Sequence, residues 1–196
     1  MVQKIVLASS NPGKLKEFNQ LLGGAGFAVL PQSEFDVVDA EETGLSFVEN
    51  AIIKARNACE ATGLPALADD SGIEVDALDG RPGIYSARFS GPDASNASNN
   101  QKLLQDLTNV SEKDRTARYQ CVLVYMRHAQ DPTPIICQGS WEGRILEAPR
   151  GEGGFGYDPL FYVPSHDCAA AELSKEEKSQ ISHRASALKM LLAELS

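Results

Sequence analysis

The sequence predicts an α/β domain built on a mixed β-sheet with flanking helices, and three observations carry that expectation. Lys4-Ile5-Val6-Leu7-Ala8 is a short apolar run, followed by a polar loop and then by Leu15, Phe18, Leu21 and Leu22 on one helical face: strand, loop, helix. Ala117 to Met126 sets Tyr119, Cys121, Leu123 and Tyr125 on one side and Val122, Val124 and Met126 on the other, the pattern of a central strand covered on both faces. The turn Asp131-Pro132-Thr133-Pro134 then leads into Ile135 to Trp141, which reads as the returning arm of a hairpin and makes the sheet mixed.

The 196 residues can bury one good core, as one compact domain or two closely joined lobes, and a single domain over 1–196 is expected. The formal net charge of −9 argues against nucleic acid or an anionic membrane as a partner, because a phosphate backbone needs a basic face. No secretory start and no membrane-length apolar run is present, so the cytoplasm is the expected address. Cys59, Cys121, Cys137 and Cys168 are too scattered for a zinc site or a disulfide framework and read as reduced.

Taken in order, the loop after the first strand is Ser9-Ser10-Asn11-Pro12-Gly13-Lys14, where Asn11 suits an N-cap and Pro12 the first helical position. Free backbone N–H groups and the Lys14 charge would make it an anion site; an ordinary capped turn is the other reading. It is not a Walker A loop, since Ala8 and Leu15 stand where glycine and Ser or Thr are required. Gly23-Gly24 end the helix, and Phe27 to Leu30 reads as a second strand. An acidic segment, Asp36 to Glu42, precedes the capping box Ser46-Phe47-Val48-Glu49, which opens a helix that Gly63 stops. Its polar face carries Asn50, Lys54 and Asn57.

The most informative stretch is Leu64 to Ile73, an apolar run ending in Asp69-Asp70-Ser71-Gly72. It reads as a buried strand whose C-terminal end meets a cleft, with a separate strand from Ile73 to Leu78. Adjacent carboxylates ask for Mg²⁺, a shared proton or exposure to water, and a solvated Asp-rich turn is the alternative. Asp79-Gly80 is a turn, Arg81 to Gly91 a cleft-lining loop with Tyr85 and Arg88, and Asn99 to Val110 an amphipathic helix. In Gly151 to Pro159, glycines flank Phe155, whose flat face suits a stacked purine, although a glycine-rich hairpin loop has the same composition. Ser174 to Glu177 is a further capping box, and Lys178, His183 and Arg184 precede the last helix.

Ser-Ser-Asn-Pro-Gly-Lys, Glu-Glu-Thr-Gly, Ala-Asp-Asp-Ser-Gly-Ile, Pro-Gly-Ile-Tyr-Ser-Ala-Arg, Gly-Gly-Phe-Gly-Tyr-Asp-Pro and Ser-His-Arg, in that order, resemble the inosine triphosphate pyrophosphatase-like enzymes in their bacterial XTP/dITP diphosphatase branch, over essentially the whole chain. The resemblance implies a two-lobed fold around a long mixed sheet with a cleft between lobes, a homodimer, and Mg²⁺-dependent hydrolysis of noncanonical purine nucleoside triphosphates to monophosphate and pyrophosphate. It places Ser9, Ser10, Asn11, Pro12, Gly13 and Lys14 on the triphosphate, Asp70 as proton acceptor and metal ligand, and Ser71 beside the substrate. Phe155, Gly156, Tyr157, Asp158, Lys178, His183 and Arg184 fall on the nucleotide and its base. Glu41 is chosen as the second metal carboxylate, with Glu42 next, and Lys54 and Asp69 support catalysis. Relatives often have Thr-Gly-Asn where this chain has Ser9-Ser10-Asn11, which touches only loop geometry.

Overall fold

The computed structural model describes residues 2–195. In chain order the main elements are β1 (Gln3–Leu7), α1 (Pro12–Gly23), β2 (Phe27–Pro31), α2 (Phe47–Thr62), β3 (Ala66–Val75), α3 (Asn96–Asp106), β4 (Thr116–Met126), β5 (Ile135–Ile145), β6 (Phe161–Val163), β7 (Cys168–Ala169), α4 (Lys175–Ile181) and α5 (His183–Leu195). The strands form a sheet in the order β2-β1-β3-β4-β5-β6-β7. β1 lies parallel to β2 and β3, with Ile5 opposite Val29 and Leu7 opposite Leu67, whereas β5, β6 and β7 pair antiparallel. The sheet is therefore mixed, as the patterns require.

The chain divides into two compact units, Met1–Asp70 with Cys121–Gln138 and Ala187–Ser196, and Ser71–Gln120 with Gly139–Ser186. Each has its own core. The first packs Ile5, Leu7, Phe18, Leu22, Leu67, Leu123, Leu188 and Leu191; the second packs Ile73, Leu103, Leu107, Tyr119, Trp141 and Phe161. Each large apolar side chain so buried contributes about 1.5–3 kcal/mol.

The caps form where the sequence puts them. Asn11 Oδ1 accepts from the N–H groups of Gly13 and Lys14 at 2.9 and 3.2 Å and opens α1 at Pro12. Ser46 caps α2, and Gly63, at φ 68°, closes it by donating to the Cys59 carbonyl at 2.9 Å. A left-handed backbone there favours a residue without Cβ.

Some expectations change. β3 runs unbroken through Asp69, Asp70, Ser71 and Gly72, so the acid pair sits inside a strand rather than at its end. Asp, Ser and Gly are poor strand formers, but each carboxylate meets a lysine, and tertiary pairing overrides propensity. α3 starts at Asn96, before the expected Asn99, because Ser95 and Ser98 form a reciprocal capping box. Arg81 to Gly91 contains a short 3-10 helix, Gly83–Arg88, and His183 and Arg184 are the first residues of α5 rather than its approach.

Candidate active site

Two clusters of polar side chains gather the predicted residues. The first lies in the unit that holds the N-terminus, around a cavity of about 260 Å³ lined by Ser9, Ser10, Lys14, Glu42, Lys54 and Asp69, among others. α1 supplies Lys14, α2 supplies Lys54, and β3 supplies the aspartates.

Alternation along β3 decides how the acid pair is used. Consecutive strand side chains point to opposite faces, so Asp69 and Asp70 do not share one proton or one cation side by side. Asp69, 1 % exposed, takes the Lys14 ammonium on both oxygens at 2.9 and 2.8 Å. Asp70 takes Lys54 on Oδ1 at 2.9 Å. Lys54 Nζ also stands 3.0 Å from Glu42 Oε1, so one ammonium joins two carboxylates. Burial works to lower the Lys54 pKa, but the charge and hydrogen bond of Asp70 outweigh it and the net direction is upward. For Asp70 burial is the largest influence and raises the carboxyl above its ordinary value, against the opposing pull of Lys54; Glu42 and Asp69 add to the rise.

Asp70 Oδ2 is buried and has no hydrogen-bond partner. An orphaned buried carboxylate oxygen is costly, and a cation bound to it would remove that cost. Among the described residues no three His, Cys, Asp or Glu side chains converge on one point. Asp70 and Glu42, joined through Lys54, offer two carboxylates, the number that commonly holds Mg²⁺ while water and substrate phosphate complete its shell. Glu41 was the sequence-based choice for the second carboxylate, but it is exposed and absent from the cavity wall, whereas Glu42 lines the cavity and reaches Lys54.

The loop before α1 takes the capped-turn form that the sequence also allowed. The N–H groups of Gly13 and Lys14 are taken by Asn11 Oδ1, and that of Asn11 lies 3.2 Å from Ser9 Oγ, so these three donors do not face the cavity freely. The capping that makes Asn11-Pro12-Gly13 start a helix also uses up its anion-binding amides. Ser10, Asn11, Pro12 and Gly13 are exposed, and the cationic character of the cavity comes from Lys14 and Lys54.

The second cluster lies in the other unit. Phe155 is 73 % exposed and Gly156 half-buried, whereas Tyr157 and Asp158 are buried. The Tyr157 hydroxyl donates to the Ser86 carbonyl at 2.7 Å, and burial pushes its pKa up. Asp158 Oδ1 accepts from the Tyr119 hydroxyl at 3.2 Å; Oδ2 accepts from the Phe155 N–H at 2.6 Å and pairs with Lys178. Gly154, at φ 81°, leaves no room for a side chain, since a Cβ there would run into the Asp158 carboxylate. His183 is buried with its ring against Tyr119, and Arg184 is half-buried next to it. Ser71, half-buried on β3, is the first residue of this unit.

Three residues of these clusters carry no distinguishing signal in the sequence. Gln32 is buried, donates to Asp39 Oδ1 and lies 3.5 Å from Ser10 Oγ; both Gln32 and Asp39 line the cavity. A single glutamine after a strand carries no signal, while Asp39 lay within the acidic segment without being distinguished. Tyr119 read only as a strand residue.

Comparison with known proteins gives one consistent picture. The model of the Ham1 family matches residues 5–194. The chain is 60 % identical over 192 residues to a dITP/XTP pyrophosphatase of Thioalkalivibrio sulfidiphilus, covering 98 % of each. It is 58 % identical over 191 residues to the dITP/XTP pyrophosphatase of Escherichia coli, covering 97 % of each. Among solved structures, a HAM1 protein from Coxiella burnetii superposes with a TM-score of 0.95 at 52 % identity, covering 98 % of each chain.

Proposed function

Because the chain belongs to the Ham1 family, whose model spans residues 5–194, we propose an assignment of its side chains to the family's reaction. The chain hydrolyses noncanonical purine nucleoside triphosphates, ITP, dITP and XTP, to the monophosphate and pyrophosphate. The observation that carries the assignment is Asp70: a buried carboxylate with one oxygen on Lys54 and the other unpartnered.

Asp70 accepts a proton from the water that attacks the α-phosphorus. In the metal-free protein burial raises its carboxyl above the ordinary value, against the pull of Lys54. Lys54 and Lys14 meet the charge that develops on the departing pyrophosphate, and Asp69 holds Lys14 in place. Ser9 and Ser10 offer hydroxyls to the triphosphate, while Asn11, Pro12 and Gly13 shape the loop that presents them. Ser71 lies beside the nucleotide. Asp70 and Glu42 would hold Mg²⁺, which when bound neutralises phosphate oxygens and lowers the pKa of a water.

The second cluster reads the base. Phe155 presents an exposed ring for stacking on a purine. His183 and Arg184 donate toward a 6-keto oxygen. The 6-amino group of adenine would oppose donor to donor, and a pocket built for a hydrogen bond discriminates strongly against a partner that cannot make it. Lys178 adds positive charge, and Gly156, Tyr157 and Asp158 form the frame of the loop.

We place this activity in the cytoplasm and in a homodimer, on the strength of the family resemblance; no helix among the described residues is long and apolar enough to cross a membrane. Sedimentation of the purified protein checks the dimer. The reaction is tested by offering ITP, dITP, XTP, GTP, ATP and dUTP with Mg²⁺ and measuring pyrophosphate and orthophosphate separately. Pyrophosphate from the deaminated purines, with little from ATP, is expected. Orthophosphate as first product would overturn attack at the α-phosphorus.

A further inference from the structure

Tyr119 belongs to none of the roles above, yet it touches both arms of the second cluster. It lies on β4, 8 % exposed, with its ring 4.8 Å from that of His183 at an interplanar angle of 11°. On other sides it meets Trp141 at 6.2 Å and Phe161 at 4.7 Å. Its hydroxyl donates to Asp158 Oδ1 at 3.2 Å, and the other Asp158 oxygen takes the Phe155 N–H and Lys178.

We propose that Tyr119 is the positioning residue of base recognition: its ring face fixes the plane of the His183 imidazole, and its hydroxyl, through Asp158, fixes Lys178 and the backbone that carries Phe155. The inference rests on the reading of His183 and Phe155 as base contacts.

Preorganisation is what such a contact supplies. A His side chain has a broad second torsion, and a parallel aromatic neighbour removes most of that freedom before a ligand arrives. Trp141 and Phe161 in turn deny Tyr119 room to move. Asp158 is 1 % exposed with both oxygens engaged by protein donors, so it acts through Lys178 and Phe155 rather than on the base itself. Burial, and next the nearby Asp158 charge, raise the Tyr119 pKa well above the ordinary value, which keeps the hydroxyl a donor. Loosening these groups would tax binding and base choice, and would leave the proton transfer at Asp70 largely alone.

The test uses the full-length protein with Mg²⁺, comparing wild type, Tyr119→Phe, Tyr119→Leu and His183→Ala. Steady-state kinetics with ITP and ATP are combined with NMR of the His183 ring protons. In the wild type those protons lie over an aromatic face and are expected upfield of their ordinary position. Tyr119→Phe keeps that shift and the choice of ITP over ATP, while the KM for ITP rises by about threefold from the lost hydroxyl contact. Tyr119→Leu loses the shift and reduces the ITP-to-ATP preference by up to about tenfold, the worth of one aromatic pair, with kcat for ITP changing less.

A folded Tyr119→Leu with wild-type selectivity and KM overturns the proposal. If that variant does not fold, an ordinary His183 shift in the wild type, or an unchanged KM in Tyr119→Phe, overturns it instead. His183→Ala separates this from the premise: unchanged selectivity there defeats the base-contact reading itself. Lost selectivity in His183→Ala but not in Tyr119→Leu defeats only the role of Tyr119.

Discussion

At the scale of single residues, Asp70 is where burial, charge and chemistry meet. Asp70→Asn keeps the shape and removes the proton acceptor, so kcat for ITP is expected to fall by about a hundredfold or more while KM changes little. Single-turnover kinetics would show whether the loss lies in the chemical step. The same residue marks the stability of the metal-free protein. Its folded pKa is raised, chiefly by burial, so the folded state binds this proton more tightly than the unfolded chain. The contribution is then fully present below the ordinary value of 3.8 and is lost as pH rises through the folded pKa. Thermal unfolding in EDTA should show that slope in the wild type and lack it in Asp70→Asn. One step away, Glu42→Gln should weaken Mg²⁺ binding by about tenfold or more, judged from losses at metal-site shells, and Glu41→Gln should not. Mn²⁺ titration followed by paramagnetic resonance reads this without relying on turnover; the reverse order would return the ligand to Glu41.

Elements set the precision with which those residues are delivered. Lys54 lies two turns into α2, so the rigidity of that helix start fixes the ammonium that joins Glu42 to Asp70. Ser46 caps the helix, and its hydroxyl donates to Glu49 Oε2 at 2.6 Å. Ser46→Ala is expected to cost about 1 kcal/mol in denaturant unfolding. Activity should fall less than in Lys54→Ala, because the cap acts on the helix and the ammonium on the charge. This helix was legible in the sequence from its capping box to Gly63, since local hydrogen bonding determines both ends. β3 was legible only in part: its first half is apolar, but nothing in Asp69 to Gly72 signals that the strand continues, and the lysines that meet the two carboxylates come from α1 and α2.

For the whole molecule, two separate cores share the stabilisation. Phe161, fully buried against Tyr119 and Trp141, anchors the second. Phe161→Ala should cost about 3–5 kcal/mol, a large share of the roughly 5–15 kcal/mol that holds a domain folded. Calorimetry should show a lower unfolding temperature for that variant. A difference under about 1 kcal/mol would mean that the neighbouring rings collapse into the space, contrary to tight packing.

Local patterns of chain suffice for the α/β class, the capped helices, the long central strand and the short motifs on which family membership rests, because periodicity, caps and turn residues act over a few positions. The sequence also picked out Lys14, Lys54, Asp69 and Asp70 as the charged residues of one cluster. How they pair is visible only in the fold: Asp69 with Lys14, Asp70 with Lys54, and Glu42 rather than Glu41 on that same lysine. Likewise Tyr119 is one more aromatic in a strand until its ring is found flat against His183. Distance, burial and the direction of a side chain are properties of the folded state, and through-space charge and ring contacts depend on all of them.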